Sequence, residues 1–206
     1  VTPIQRHYRG YTLHEIPPSG QGIAALIALG ILEQFDLGAL PVVSVAAQHL
    51  QIEAMKLAFA DVYRYVAEPS SMALTPAQML DDAYLASRAR LIDMHRAQDF
   101  QAGNPVKGGT IYLTAADEQG MMVSFIQSNY MGFGSGCVEP DFGISLHNRG
   151  HAFSLVARSP NVVAPGKRPF HSIIPAFLTR GGQPVMSFGV MGANMQPQGH
   201  VQTLVR

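Results

Sequence analysis

Through the first 95 residues the apolar positions recur at three- and four-residue intervals, the period of an α-helix. After the turn Pro17-Pro18-Ser19-Gly20, residues Ile23, Leu26, Ile27, Leu29, Ile31 and Leu32 form an apolar face wide enough to require a mostly buried helix, ending near Asp36 and Gly38. A longer amphipathic helix is predicted over residues 43–67, with Ala47, Leu50, Ala54, Leu57, Ala58 and Val62 inward and Gln48, Gln51 and Lys56 between them. Thr75-Pro76-Ala77-Gln78 is a capping box with proline at the first helical position, so a third helix should open there and run through Leu80, Tyr84 and Leu91. The first half is therefore expected to be helical.

The pattern changes near the middle. Residues 96–109 are polar and contain Gly103, Pro105, Gly108 and Gly109, the composition of an exposed, flexible loop. Residues 110–116 are then rich in β-branched and aromatic side chains, 117–120 form a turn, and 121–129 form a second apolar strand, which together predict a hairpin. Gly132, Gly134 and Gly136 mark a loop. A second hairpin is predicted to pair residues 173–179 with 184–190 around Arg180-Gly181-Gly182, and a helix from about Pro197 closes the chain. Helices first and strands second indicate a layered α+β fold rather than alternating α/β.

Composition narrows the class of function. With 206 residues, 47% of them hydrophobic, the chain can bury a core. Fourteen basic residues balance fourteen acidic ones, so no net field draws nucleic acid or an anionic membrane, and a small-molecule partner is expected. Cys137 is the single cysteine, which rules out a disulfide framework within the chain. No apolar run is long enough for a membrane span, and the start lacks the regions of a signal peptide. The expectation is a soluble protein, cytoplasmic or periplasmic, seen as a processed or internal portion whose own N-terminus lies upstream of Val1.

One junction carries the sharpest chemistry. At Gly108-Gly109-Thr110 a glycine loop delivers a hydroxyl residue to the start of a strand. Cutting after Gly109 would give Thr110 a free α-amino group, with a reference pKa of about 7.7 to 8.0, able to act as base toward its own hydroxyl. Taken by themselves, the three residues suit a loop before an ordinary strand-opening threonine better than a nucleophile. Other patterns are plainer. Gly132-Phe133-Gly134-Ser135-Gly136 lacks the lysine of a phosphate loop, and Ser135 does not sit in a G-x-S-x-G elbow. His147 and His151 lack the intervening glutamate of a zinc helix. Gly189-Val190-Met191-Gly192-Ala193 suits either a tight turn or a set of backbone donors for an oxyanion.

In order along the chain, several segments resemble the gamma-glutamyltranspeptidases. Tyr8-Arg9-Gly10-Tyr11, Pro17 to Gly22 and His49 to Asp61 resemble the end of that family's large subunit. Gly108-Gly109-Thr110, Gly132 to Gly136, Gly166-Lys167-Arg168-Pro169 and Pro175 resemble the start of its small subunit. The resemblance implies part of an N-terminal-nucleophile hydrolase αββα sandwich, with residues 1–109 ending the large subunit and 110–206 beginning the small one. It implies self-cleavage after Gly109, gamma-glutamyl transfer or glutathione hydrolysis through an acyl-threonine, no metal or organic cofactor, and the remainder of both subunits as partners.

Carried over by position, the resemblance makes Thr110 the nucleophile and Ser128 the hydroxyl beside its amine. Gly192 and Ala193 fall on the paired oxyanion glycines, and His171 and Ser172 on two serines that hold the substrate carboxylate. Tyr130 stands where the family has a pocket asparagine. Arg149 and Ala152 stand where acidic or amide side chains receive the substrate's α-amino group. These departures, with Asn129-Tyr130-Met131-Gly132 and Met195 to Gly199, resemble a bacterial branch related to cephalosporin acylases. The alternatives are therefore a glutaryl (dicarboxylic) amide acylase or, from another class, a non-catalytic scaffold.

Overall fold

The computed structural model describes residues 1–100 and 109–206. The loop predicted over 96–109 thus falls largely outside the described residues. Strands β1 (Ile4–Tyr8) and β2 (Tyr11–Glu15) open the chain, followed by helix α1 (Gly22–Leu32) and helix α2 (Val45–Tyr65). Two short helices, α3 (Pro76–Met79) and α4 (Asp82–Ala89), precede the hairpin β3 (Gly109–Ala116) and β4 (Met122–Tyr130). The small hairpin β5 (Val138–Glu139) and β6 (Ile144–Ser145), the hairpin β7 (Ala176–Arg180) and β8 (Gln183–Phe188), and helix α5 (Met195–Val205) complete it.

Every residue of α1 is buried, as its wide apolar face requires, and it packs against α2, α4, α5, β1 and β2. Ser44 caps α2, its hydroxyl accepting from the Ala47 N–H at 3.2 Å. Two expectations for the first half are corrected. Residues 4–15 form a β-hairpin, because Arg9 (φ 47°) and Gly10 (φ 88°) turn the chain in the left-handed region that a two-residue hairpin loop needs. The helix opened by the Thr75 capping box ends after one turn, because the Asp81 carboxylate accepts from the Tyr84 N–H at 2.8 Å and starts a new helix there.

The main sheet is antiparallel in the order β1-β2-β7-β8. Alternation assigns its faces: Leu13, Ala176, Leu178 and Phe188 join the core beneath the helices, while His14 and Ser187 point the other way. On that other face lies the β3–β4 hairpin. The Thr114 hydroxyl bonds the Ser187 hydroxyl, the Ser124 hydroxyl donates to the Ala176 carbonyl at 3.0 Å, and the Tyr112 ring covers Gly189. The hairpin pairs as predicted, but the helices stack on the four-stranded sheet rather than on it. Helices, sheet and hairpin make three successive layers. The hairpin's outward face leaves Ile111, Leu113, Val123 and Phe125 about half exposed, from 49% to 58%.

Candidate active site

Thr110 sits near the start of β3 at an irregularity in the ladder. Gly109 pairs with Tyr130, but Ile111 pairs with Gln127, so Ser128 and Asn129 together oppose Thr110. This is a β-bulge, which interrupts regular pairing and re-aims the side chains beside it. Thr110 and Ser128 consequently line one open groove with Asn129, Ser145 and His147. Ser128 also accepts the Tyr130 N–H at 2.9 Å, holding the end of β4 where Tyr130 turns into the left-handed region at φ 76°. That conformation is costly for a bulky side chain, and it turns the ring toward Arg149 and His151.

Beyond Tyr130 lies a cavity of about 260 Å³ whose wall includes Tyr63, Tyr130, Ala152, Ser172, Ala193 and Asn194. Four residues selected from sequence therefore meet in one place. The Ala152 segment is clipped to β4: the Asn148 N–H donates to the Asn129 carbonyl at 3.2 Å, and its side-chain oxygen accepts the Met131 N–H at 3.0 Å. Asn194 donates to the Tyr63 hydroxyl, and burial pushes the Tyr63 phenol up to about 12 despite that bond. Tyr63 stays protonated through the neutral range.

Arg149 is buried to 2% exposure. Its Nη1 lies 3.3 Å from the Ser172 Oγ, and its guanidinium carbon stands 5.3 Å from the Tyr130 ring centroid. Burial lowers its pKa. His171 is pushed down to about 4, first by burial and then by the Arg149 charge, so its imidazole is neutral at ordinary pH. The His171 backbone N–H donates to the Ser19 carbonyl at 3.0 Å, and the His171 carbonyl accepts the Gln21 backbone N–H at 2.9 Å.

Gly192 (φ 115°) and Ala193 (φ 51°) form a tight turn before α5. Their carbonyls are engaged, by the Met195 N–H at 2.9 Å and the Gln196 N–H at 3.1 Å respectively. Neither N–H has an acceptor among the described residues, which leaves two backbone donors of the kind an oxyanion takes. Ala193 holds its φ at a cost of roughly 1–2 kcal/mol that glycine would not bear.

The residue that organises these loops was not singled out from sequence. Gln21, fully buried at the start of α1, makes no helix cap; its Nε2 donates to the Ser172 carbonyl at 2.5 Å and to the Ala193 carbonyl at 2.8 Å. Its flanking glycines were the only sequence signal. Tyr63, Asn194 and His147 were likewise unassigned, since a tyrosine inside an amphipathic helix reads as core. Among the described residues no cluster of three metal-ligating side chains occurs, and no helix is long and apolar enough to cross a membrane.

Helices over a sheet over a hairpin, with a threonine at the head of the hairpin, define part of the αββα sandwich of N-terminal-nucleophile hydrolases. The chain belongs to the gamma-glutamyltranspeptidase family, whose model matches residues 1–206. It is similar to the structure of cephalosporin acylase from Bacillus halodurans, with TM-score 0.90 and 51% identity over 99% of this chain and 37% of that one. The glutathione hydrolase-like YwrD proenzyme of Bacillus subtilis (strain 168) is 35% identical over 206 residues, covering 100% of this chain and 39% of that protein. The oxamate amidohydrolase proenzyme of Klebsiella pneumoniae is 36% identical over 196 residues, covering 95% of this chain and 37% of that protein. The chain thus spans less than two fifths of the length of each.

Proposed function

We propose that the full-length protein cleaves amide bonds through an acyl ester on Thr110, after cutting itself between Gly109 and Thr110. On this reading residues 1–109 end a large subunit and 110–206 begin a small one. The observation that carries it is the bulge that brings Thr110 and Ser128 into one groove, next to the cavity that Tyr130 and Ala193 line.

The chemistry follows from those positions. The Thr110 α-amine takes the proton from its own hydroxyl as Oγ attacks the amide carbonyl. The Gly192 and Ala193 N–H groups receive the oxyanion, worth about 2.7–4 kcal/mol per donor in comparable sites. The C–N bond breaks, the leaving amine takes the proton, and water or an acceptor amine then releases the acyl group from the ester. Ser128 positions the α-amine. The outward face of the β3–β4 hairpin, with Ile111, Leu113, Val123 and Phe125, is the surface that the remainder of the protein covers.

Hydrolysis of acyl p-nitroanilides by the full-length protein, with acid quench and mass analysis, tests this reading. An acyl adduct on Thr110, lost with activity in Thr110→Ala, is expected. Undiminished turnover in Thr110→Ala overturns it, and absence of turnover with every anilide favours the scaffold reading.

A further inference from the structure

One side chain stands between two hollows. Tyr63 is in the wall of the cavity of about 260 Å³ beside the Thr110 groove. It is also in the wall of an open groove of about 780 Å³, together with Tyr65, Ala73, Val156, Pro160 and Val162. Among the described residues it is the one that lines both. Size gives this partition a consequence. Pockets for drug-sized ligands run to about 300–1,000 Å³. The cavity falls below that range and suits a short group, whereas the groove lies well inside it.

The Tyr63 ring is held in place. Phe59, one turn earlier on α2, stacks on it with centroids 5.4 Å apart and planes 21° apart, and Phe170 meets it at 6.2 Å and 57°. At its tip the Asn194 amide donates to the Tyr63 hydroxyl. The phenol is thereby tied to the residue that follows Ala193 in the turn before α5. A ring packed on its faces and bonded at its end does not swing aside at little cost, and its truncation leaves a hole that neighbours fill only in part.

We propose that Tyr63 is the stop that sets the length of the acyl group, confining the cavity to short chains because the end of a longer one would have to occupy the volume of the ring. The inference rests on the acyl-Thr110 reading, which puts the acyl group in the cavity beside that threonine. It concerns length alone. One methylene too many in a closed pocket costs about ten- to two-hundredfold in kcat/KM. With the ring removed, cavity and groove become one channel, and each added methylene that reaches apolar surface gains roughly fourfold instead.

Two measurements on the mature full-length protein test the stop apart from the chemistry at Thr110. The first is kcat/KM for butanoyl, hexanoyl and octanoyl p-nitroanilides in wild type, Tyr63→Phe and Tyr63→Ala. Wild type should fall by about tenfold or more from butanoyl to octanoyl. Tyr63→Phe keeps the ring and should keep that fall, while loss of the Asn194 bond lowers all three values alike. In Tyr63→Ala octanoyl should equal or overtake butanoyl. A purely structural role would lower the three together and leave their ratio unmoved. The same octanoyl-to-butanoyl ratio in Tyr63→Ala as in wild type overturns the proposal, and so does a wild type without the fall. Should Tyr63→Ala fail to fold, Tyr63→Leu, which keeps an apolar contact to Phe59 and removes the outer part of the ring, decides in its place.

The second measurement is calorimetric binding of butanoate, hexanoate and octanoate, the acids that hydrolysis would release, to the same proteins. Affinity should fall with length in wild type and rise with length in Tyr63→Ala, by roughly fourfold per methylene. That pattern without turnover of any anilide upholds the stop and defeats the acyl-threonine reading. Turnover through an adduct on Thr110, with no effect of Tyr63→Ala on length in either series, does the reverse.

Discussion

Gln21 and Ala193, 172 residues apart in sequence, are joined by a hydrogen bond of 2.8 Å from the Gln21 Nε2 to the Ala193 carbonyl. The same nitrogen holds the Ser172 carbonyl at 2.5 Å. One amide at the N-terminal boundary of α1 thus ties the Gly192–Ala193 turn to the loop that carries Ser172. On the acyl-Thr110 reading proposed above, Gln21 is a positioning residue that acts through two backbone carbonyls.

Gln21→Ala should leave both carbonyls without this donor, at a cost of about 1–3 kcal/mol for a buried polar group deprived of its partner. Because the oxyanion turn loosens, kcat for acyl p-nitroanilides should fall more than KM rises. Gln21→Glu should be worse, since a carboxylate brings acceptors toward two acceptors. Thermal unfolding with steady-state kinetics on the full-length protein checks this; unchanged kcat in Gln21→Ala would remove its positioning role.

The contact between hairpin and sheet gives a second expectation. A Cβ at Gly189 would lie 2.6 Å from the Tyr112 ring, inside the closest approach that real side chains show. Gly189→Ala should therefore destabilise by about 1–3 kcal/mol through overpacking. The loss should shrink in a Tyr112→Leu background, because the two sites are coupled. Urea unfolding of the two single variants and the double variant measures that coupling, and additive losses would contradict the packing described.

His171 sets a pH dependence. Its folded pKa, about 4, lies below the ordinary 6.5. Between those values the unfolded chain binds the proton and the folded one does not, so stability rises with pH across the window and falls as pH drops from about 6.5 toward 4. His171→Gln should flatten that part of the profile, and Arg149→Gln should raise the His171 pKa by removing the second of its depressing causes. Unfolding free energies at intervals between pH 4 and 7 check both; an unchanged slope in His171→Gln contradicts the assignment.

How much of this was legible in sequence depended on the range of the forces involved. Helices α1, α2 and α5 and the hairpins β3–β4 and β7–β8 announce themselves through periodicity and turn residues, which act locally. The β1–β2 hairpin was missed because its turn begins at Arg9, which takes a left-handed φ of 47° without glycine's freedom. The Thr75 helix ends earlier than its periodicity predicts because Asp81 is the N-cap of a new helix. Resemblance of order and spacing is what singles out Thr110, Ser128 and the pocket residues as candidates. The bulge at Thr110, the buried state of Arg149 and the two bonds of Gln21 were not legible, because each is made by partners distant in the chain.

Whether Thr110 becomes an N-terminus is decided by intact-mass analysis with N-terminal sequencing of the full-length protein and of its Thr110→Ala variant. Two chains are expected in the wild type, the smaller beginning Thr110-Ile111-Tyr112-Leu113, and one uncut chain in Thr110→Ala. A wild type that stays a single chain while hydrolysing amides, or a Thr110→Ala protein that is still cut after Gly109, would contradict that expectation.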